Sequence, residues 1–106
     1  MLMSTPEAVI KLSTRARQDF IDILRYTGET WGQQQLHVYR SKLGAALRDI
    51  ARNPALGRHR DDLPDTHRGY LAGEHVIVYL ERGSEIGVVR ILHQRMSLMR
   101  HLSNRK

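Results

Sequence analysis

The chain of 106 residues contains no cysteine, which excludes a disulfide scaffold and a thiolate zinc site. Its six histidines, at positions 37, 59, 67, 75, 93 and 101, form no HxxxH or HxH pair, so neither a metal nor another cofactor is expected. Long apolar runs are missing too. The longest, Val76 to Leu80, is too short for a membrane span or for the apolar stretch of a secretory signal, and the opening Met1-Leu2-Met3-Ser4-Thr5-Pro6 carries no charged region. A cytoplasmic protein with no membrane contact is expected. Lysine is scarce: only Lys11, Lys42 and Lys106 stand among 17 basic residues, the rest being arginine, against 11 acids. The planar guanidinium suits phosphate and carboxylate better than an ammonium does, so the +6 balance points to a nucleic acid or an acidic protein partner, unless the arginines reflect only GC-rich codons. Acids are absent from Ile86 onward, where Arg90, Arg95, Arg100, Arg105 and Lys106 form a basic segment.

What is present fits one domain over residues 1–106, long enough to bury about two-thirds of its unfolded surface without metal or disulfides. Ala8 to Leu12 is a β-prone run, and Ser13 is a good N-cap for the helix that follows. From Thr14 to Trp31 the residues Ala16, Phe20, Ile23, Leu24, Thr27 and Trp31 form a stripe of helical period, with Arg15, Arg17, Asp19, Asp22 and Arg25 on the other side. Gly32 ends that helix. A second, Gln33 to Arg52, lines up Leu36, Tyr39, Leu43, Ala46, Leu47 and Ile50 and stops at Asn53-Pro54. Two long helices joined by a tight turn form an antiparallel hairpin. Asn53 to Thr66 reads as a surface loop. The period then changes to that of strands at Arg68–Ala72, Glu74–Glu81 and Glu85–Leu92, an antiparallel meander with turns at Gly73 and Arg82-Gly83-Ser84. The apolar run Val76 to Leu80 marks a central strand covered by the hairpin. The expected architecture is therefore α+β, in the order βααβββ, with a short helix over Met96 to Leu102 as a further possibility.

Four motifs together carry a family resemblance. They are Leu12-Ser13-Thr14-Arg15-Ala16, Tyr26 with Trp31-Gly32, Asn53-Pro54-Ala55-Leu56-Gly57-Arg58, and His75-Val76-Ile77-Val78-Tyr79 followed by Val89-Arg90-Ile91-Leu92-His93-Gln94-Arg95-Met96. In this order, over residues 12 to 96, the chain resembles the ParE toxins of bacterial type II toxin–antitoxin modules, within the wider RelE/ParE superfamily. It departs from the usual pattern at Gly28, within a helical turn, and at Ser97, where an acid is common. On physical grounds alone, Asn53-Pro54 with Gly57 is a helix stop and turn, and Tyr26, Trp31 and Tyr79 are core aromatics.

The resemblance implies a toxin that does no chemistry. It would bind DNA gyrase and trap the cleaved-DNA intermediate, touching DNA only through gyrase or antitoxin, and a ParD-like antitoxin would neutralise it in a hetero-oligomer. Arg58, Arg68, Arg90, His93, Arg95 and Arg100 are then the candidate target contacts, and solvated-face cations are the plain alternative. Phe20, Leu24, Leu36, Tyr39, Leu43 and Leu47 are the candidate antitoxin contacts, because a two-helix hairpin over a small sheet leaves apolar grooves; core packing is the alternative for each. A second reading is ribosome-dependent mRNA cleavage of RelE type, which needs a base, an acid and cations around the phosphate. His93 with Arg68, Arg90 and Arg95 would supply most of that set. Against it stand the scattered lysines and the lack of a tyrosine after Tyr79. A third reading is a decayed module that only binds its antitoxin.

Overall fold

Ser13 opens the first helix as the sequence predicts: its hydroxyl accepts the Ala16 N–H at 2.9 Å. The computed structural model describes residues 7–96 and 98–103. Strand β1 (Val9–Leu12) leads into α1 (Thr14–Trp31), and Gly32, with φ of 98°, makes the one-residue joint to α2 (Gln33–Arg52). A positive φ at that joint favours glycine. After a 3-10 turn at Pro54–Leu56 come β2 (Arg68–Ala72), β3 (His75–Arg82) and β4 (Glu85–His93), and then a short helix α3 (Leu98–Ser103).

The four strands make one sheet in the order β1-β4-β3-β2. The meander is antiparallel throughout, and β1 pairs parallel with β4, from Val9 opposite Glu85 to Leu12 opposite Val88. Opposite β3, Tyr79 faces Val88 while Val78 faces Arg90, so Val89 bulges from β4. The helical hairpin covers one face with Ala16, Leu24, Leu43, Ala46 and Ile50 against Ile77, Tyr79, Val88 and Ile91. Val76, Val78 and Leu92 point the other way and are covered by Leu63 and Leu98. A central strand buried on both faces explains why Val76 to Tyr79 is apolar at successive positions.

Three expectations need correction. Asn53 to Thr66 is more than a surface loop: Leu63, at 4% exposed, anchors it to the sheet, and Arg60 and Asp62 pair through two bonds of 2.8 Å. Tyr26 and Trp31 are not core, since they are 63% and 70% exposed. Burial along the α1 stripe stops at Thr27, so Trp31, one turn later, runs past the packed part of the hairpin, and Tyr26 lies beside the stripe. Asp19 does not take the solvated side of α1; its side chain is only 15% exposed and is held by β4.

Candidate functional site

The candidate target contacts divide into two kinds, those held within the fold and those open to solvent. Arg90 belongs to the first. Beyond Leu12 the outer edge of β4 has lost its partner strand, and the start of α1 replaces it. Ser13 gives its N–H to the Val88 carbonyl at 2.9 Å and its hydroxyl to the Val89 carbonyl at 2.8 Å. Asp19 then accepts the Ile91 N–H at 2.9 Å and both Nε and Nη2 of Arg90, at 2.8 and 3.0 Å. The Arg90 side chain is 12% exposed, and the carboxylate beside it raises its hold on the proton above the usual arginine value. The structure therefore makes Arg90 an internal brace of a strand edge and not a free contact.

Arg68 is similar. Its guanidinium donates to the Gly57 carbonyl at 2.8 Å and lies 3.8 Å from Glu81. Gly57 is in turn the point where the 3-10 turn meets the sheet: its N–H donates to the Tyr79 hydroxyl at 2.8 Å, and that hydroxyl donates to the Pro54 carbonyl at 2.7 Å. Tyr79 is fully buried, as expected of a core aromatic, and burial pushes its phenol pKa up, which keeps it a neutral donor. Two motifs far apart in sequence are thus one joint. Arg58 sits beside it, its backbone paired with Gly69, while its side chain is exposed and has no partner among the described residues. Arg95 is exposed as well. The side chain of Arg100, with Arg105 and Lys106, lies outside the described residues.

His93 belongs to a different place, a groove of about 670 Å³ between α1, α2 and the β2–β3 turn. Tyr26 and Trp31 form one wall, Gln35 and Lys42 stand along α2, and Tyr39 and His75 are at the base. The Tyr39 hydroxyl accepts the Glu74 N–H at 2.9 Å and lies 2.6 Å from Nδ1 of His75 and 3.3 Å from the Ala72 carbonyl. The rings of His75 and His93 meet edge to face at 5.3 Å, and Nδ1 of His93 accepts the Arg95 N–H at 3.1 Å. Glu74 approaches His93 to 3.8 Å. The sequence carried a signal for this groove: Tyr26 is an aromatic residue out of phase with the α1 stripe.

Of the candidate antitoxin contacts, Leu24, Tyr39 and Leu43 are buried core and hence not open to a partner, whereas Phe20, Leu36 and Leu47 are partly buried at its margin. Exposed apolar side chains occur instead at Ile21 on α1 and Val38 on α2, at 45% and 49%; both stand out of phase with their helix's stripe, the signal that would have found them.

Burial, and next the neighbouring His93, pushes the pKa of His75 down to about 4, with Glu74 and Asp19 acting weakly the other way. The ring is neutral at pH 7 in the folded protein but titrates near 6.5 when unfolded. The unfolded chain therefore binds the extra proton between these values, and stability present above pH 6.5 declines as the pH falls towards 4. His67, also lowered by burial, acts in the same direction. Discounted for partial solvent access, the loss from His75 is expected to be on the order of 2 kcal/mol. Urea melts at pH 7 and near pH 4.5 check it: the decline should shrink in His75→Gln, and an equal decline in that variant contradicts the assignment.

Comparison with known proteins gives a consistent result. Residues 10–98 match the family described as ParE toxin of type II toxin-antitoxin system, parDE. Toxin ParE1 of Caulobacter vibrioides is 35% identical over 92 residues, covering 87% of this chain and 95% of that protein. Toxin ParE1 of Mycobacterium tuberculosis is 37% identical over 92 residues, covering 86% and 94%. Among solved structures, a chain of the chromosomal ParDE TA system from P. aeruginosa superposes with a TM-score of 0.72 at 14% identity, covering 84% of this chain and 98% of that one. The YoeB dimer from Staphylococcus aureus gives 0.60 at 19%, covering 83% and 98%. At such identities these two structures establish the fold alone.

Proposed function

The chain belongs to the ParE toxin family of type II toxin–antitoxin systems, and from that membership we propose that it arrests growth in the cytoplasm by binding DNA gyrase and holding its cleaved-DNA complex, without chemistry of its own. A ParD-like antitoxin neutralises it. The observation that carries the non-catalytic reading is the state of the arginines. Cleavage of an mRNA phosphodiester needs cations free to surround the phosphate. Of the set that would serve it, Arg90 is tied to Asp19 and Arg68 to the Gly57 carbonyl, which leaves His93 and Arg95 without them. A binding surface needs only exposed side chains on a rigid frame, and Arg58 and Arg95 meet that need, each charge-assisted bond contributing about 1.5–3 kcal/mol when sheltered from water.

The antitoxin makes its apolar contacts around Phe20, Leu36 and Leu47 together with the exposed Ile21 and Val38, as an amphipathic segment that folds on binding. The test is plasmid supercoiling and accumulation of cleaved complex with purified gyrase, beside primer extension on mRNA in a translating extract. Inhibited supercoiling with intact mRNA is expected. Within the same assay, Arg58→Ala/Arg95→Ala should lose inhibition while keeping its melting temperature, and His93→Gln, which keeps a hydrogen-bonding side chain, should retain most of it. Site-specific mRNA cuts with untouched supercoiling would sink the proposal.

A further inference from the structure

Three of the chain's six aromatic residues stand at one groove, and two of them, Tyr26 and Trp31, are open to water at 63% and 70%. Covering an aromatic side chain removes about 150–250 Å² from water, and exposed rings beside a concavity mark a binding surface. The groove's about 670 Å³ lies within the range of ligand pockets, roughly 300–1,000 Å³. Its base is already set. Gly73 has φ of 61°, and a Cβ there would lie 2.8 Å from the Tyr39 ring and hydroxyl, so the β2–β3 turn is pressed onto α2, with the Glu74 N–H on the Tyr39 oxygen.

The polar groups select the class of occupant. Lys42 is exposed and joins no ion pair among the described residues; Gln35 offers an amide; Glu74 offers a carboxylate at the rim. The apolar face of a helix laid here would cover Lys42 without a partner, which is costly, while Glu74 keeps the Gln94 amide at 3.2 Å. A nucleotide uses all of them: its ring stacks on an indole or phenol face, its amino edge meets Glu74 or Gln35, and its phosphate meets Lys42. A base within a duplex has both faces stacked already, so only an unpaired one fits. We propose that the groove between α1, α2 and the β2–β3 turn binds an unpaired nucleotide of a DNA or RNA strand, with Trp31 and Tyr26 as stacking platforms and Lys42 as the phosphate contact. This goes beyond the gyrase reading and holds whichever enzyme is the target.

Trp31 is the chain's single tryptophan, so its emission reports on this groove alone. The probes are short single-stranded DNA, short single-stranded RNA and a blunt duplex of equal length, titrated at physiological salt and followed both by Trp31 emission and by anisotropy of a labelled strand. Quenching by at least one single strand is expected, with affinity about tenfold above that for the duplex; the stronger of the two strands identifies the source of the nucleotide. Tyr26→Ala and Lys42→Ala should each weaken it about tenfold, and Arg48→Ala, a cation of α2 that does not line the groove, should not. Equal binding of duplex and single strands, or binding indifferent to Tyr26→Ala, overturns the proposal. So does Trp31 emission that answers only to added antitoxin, which would make the groove a protein-docking surface.

Discussion

Asp19→Ala is expected to lower the stability of this protein by about 3 kcal/mol. The carboxylate accepts three hydrogen bonds, two from the Arg90 guanidinium and one from the Ile91 N–H, with both side chains mostly shielded from water. Alanine leaves a guanidinium with 12% exposure and no counter-charge, and it uncovers a backbone donor at the edge of β4. Asp19→Asn should cost less, because an amide oxygen still accepts one of these donors. For a domain of this size the alanine variant corresponds to a melting temperature lower by about 12–20 °C. Calorimetry on both variants checks it, and an alanine variant within about 1 kcal/mol of wild type would show that solvent replaces the brace. One consequence is that lost toxicity in an Arg90→Ala variant reports folding before it reports target contact. Arg58 and Arg95 are the sites that isolate contact.

Gly57→Ala should be nearly as damaging, at about 2–3 kcal/mol, although its φ of −71° suits any residue. The requirement there is space. A Cβ on Gly57 would lie 2.6 Å from the Tyr79 hydroxyl and 2.7 Å from its ring, and Tyr79 is fully buried and cannot swing away. Relief requires the 3-10 turn to lift, which breaks the bonds of the Tyr79 hydroxyl to Gly57 and Pro54 together and loosens Arg68 on the Gly57 carbonyl. Tyr79→Phe removes the atom of closest approach, so the double variant should be less destabilised than the two single variants added together. Denaturant melts of the four proteins measure this coupling; strict additivity would mean that the turn and Tyr79 do not act as one joint.

The elements of the fold were legible in the sequence because each is encoded locally. Ser13 as a cap, two stripes of helical period, Gly32 and Asn53-Pro54 as stops, and an unbroken run at Val76 to Tyr79 place both helices at their observed limits and the strands to within a residue. The family was legible for a related reason: its motifs lie in one order along the chain, and order needs no coordinates. Pairing between distant residues is not encoded that way. Nothing in the residues of β1 says that it lies parallel beside β4, and nothing around Asp19 says that β1 stops short and leaves an edge to be capped. Arg90 therefore read as a free cation and Asp19 as a solvated acid, since each charge is neutralised by a group 71 positions away. Gly57 read as a simple turn residue until Tyr79, 22 positions on, was seen to fill the space beside it. The same limit governed the aromatics. A periodic stripe says which side of α1 faces inward, but only the packed sheet and hairpin decide where along the helix the inside ends, and that decision leaves Tyr26 and Trp31 at the mouth of a groove and not in the core.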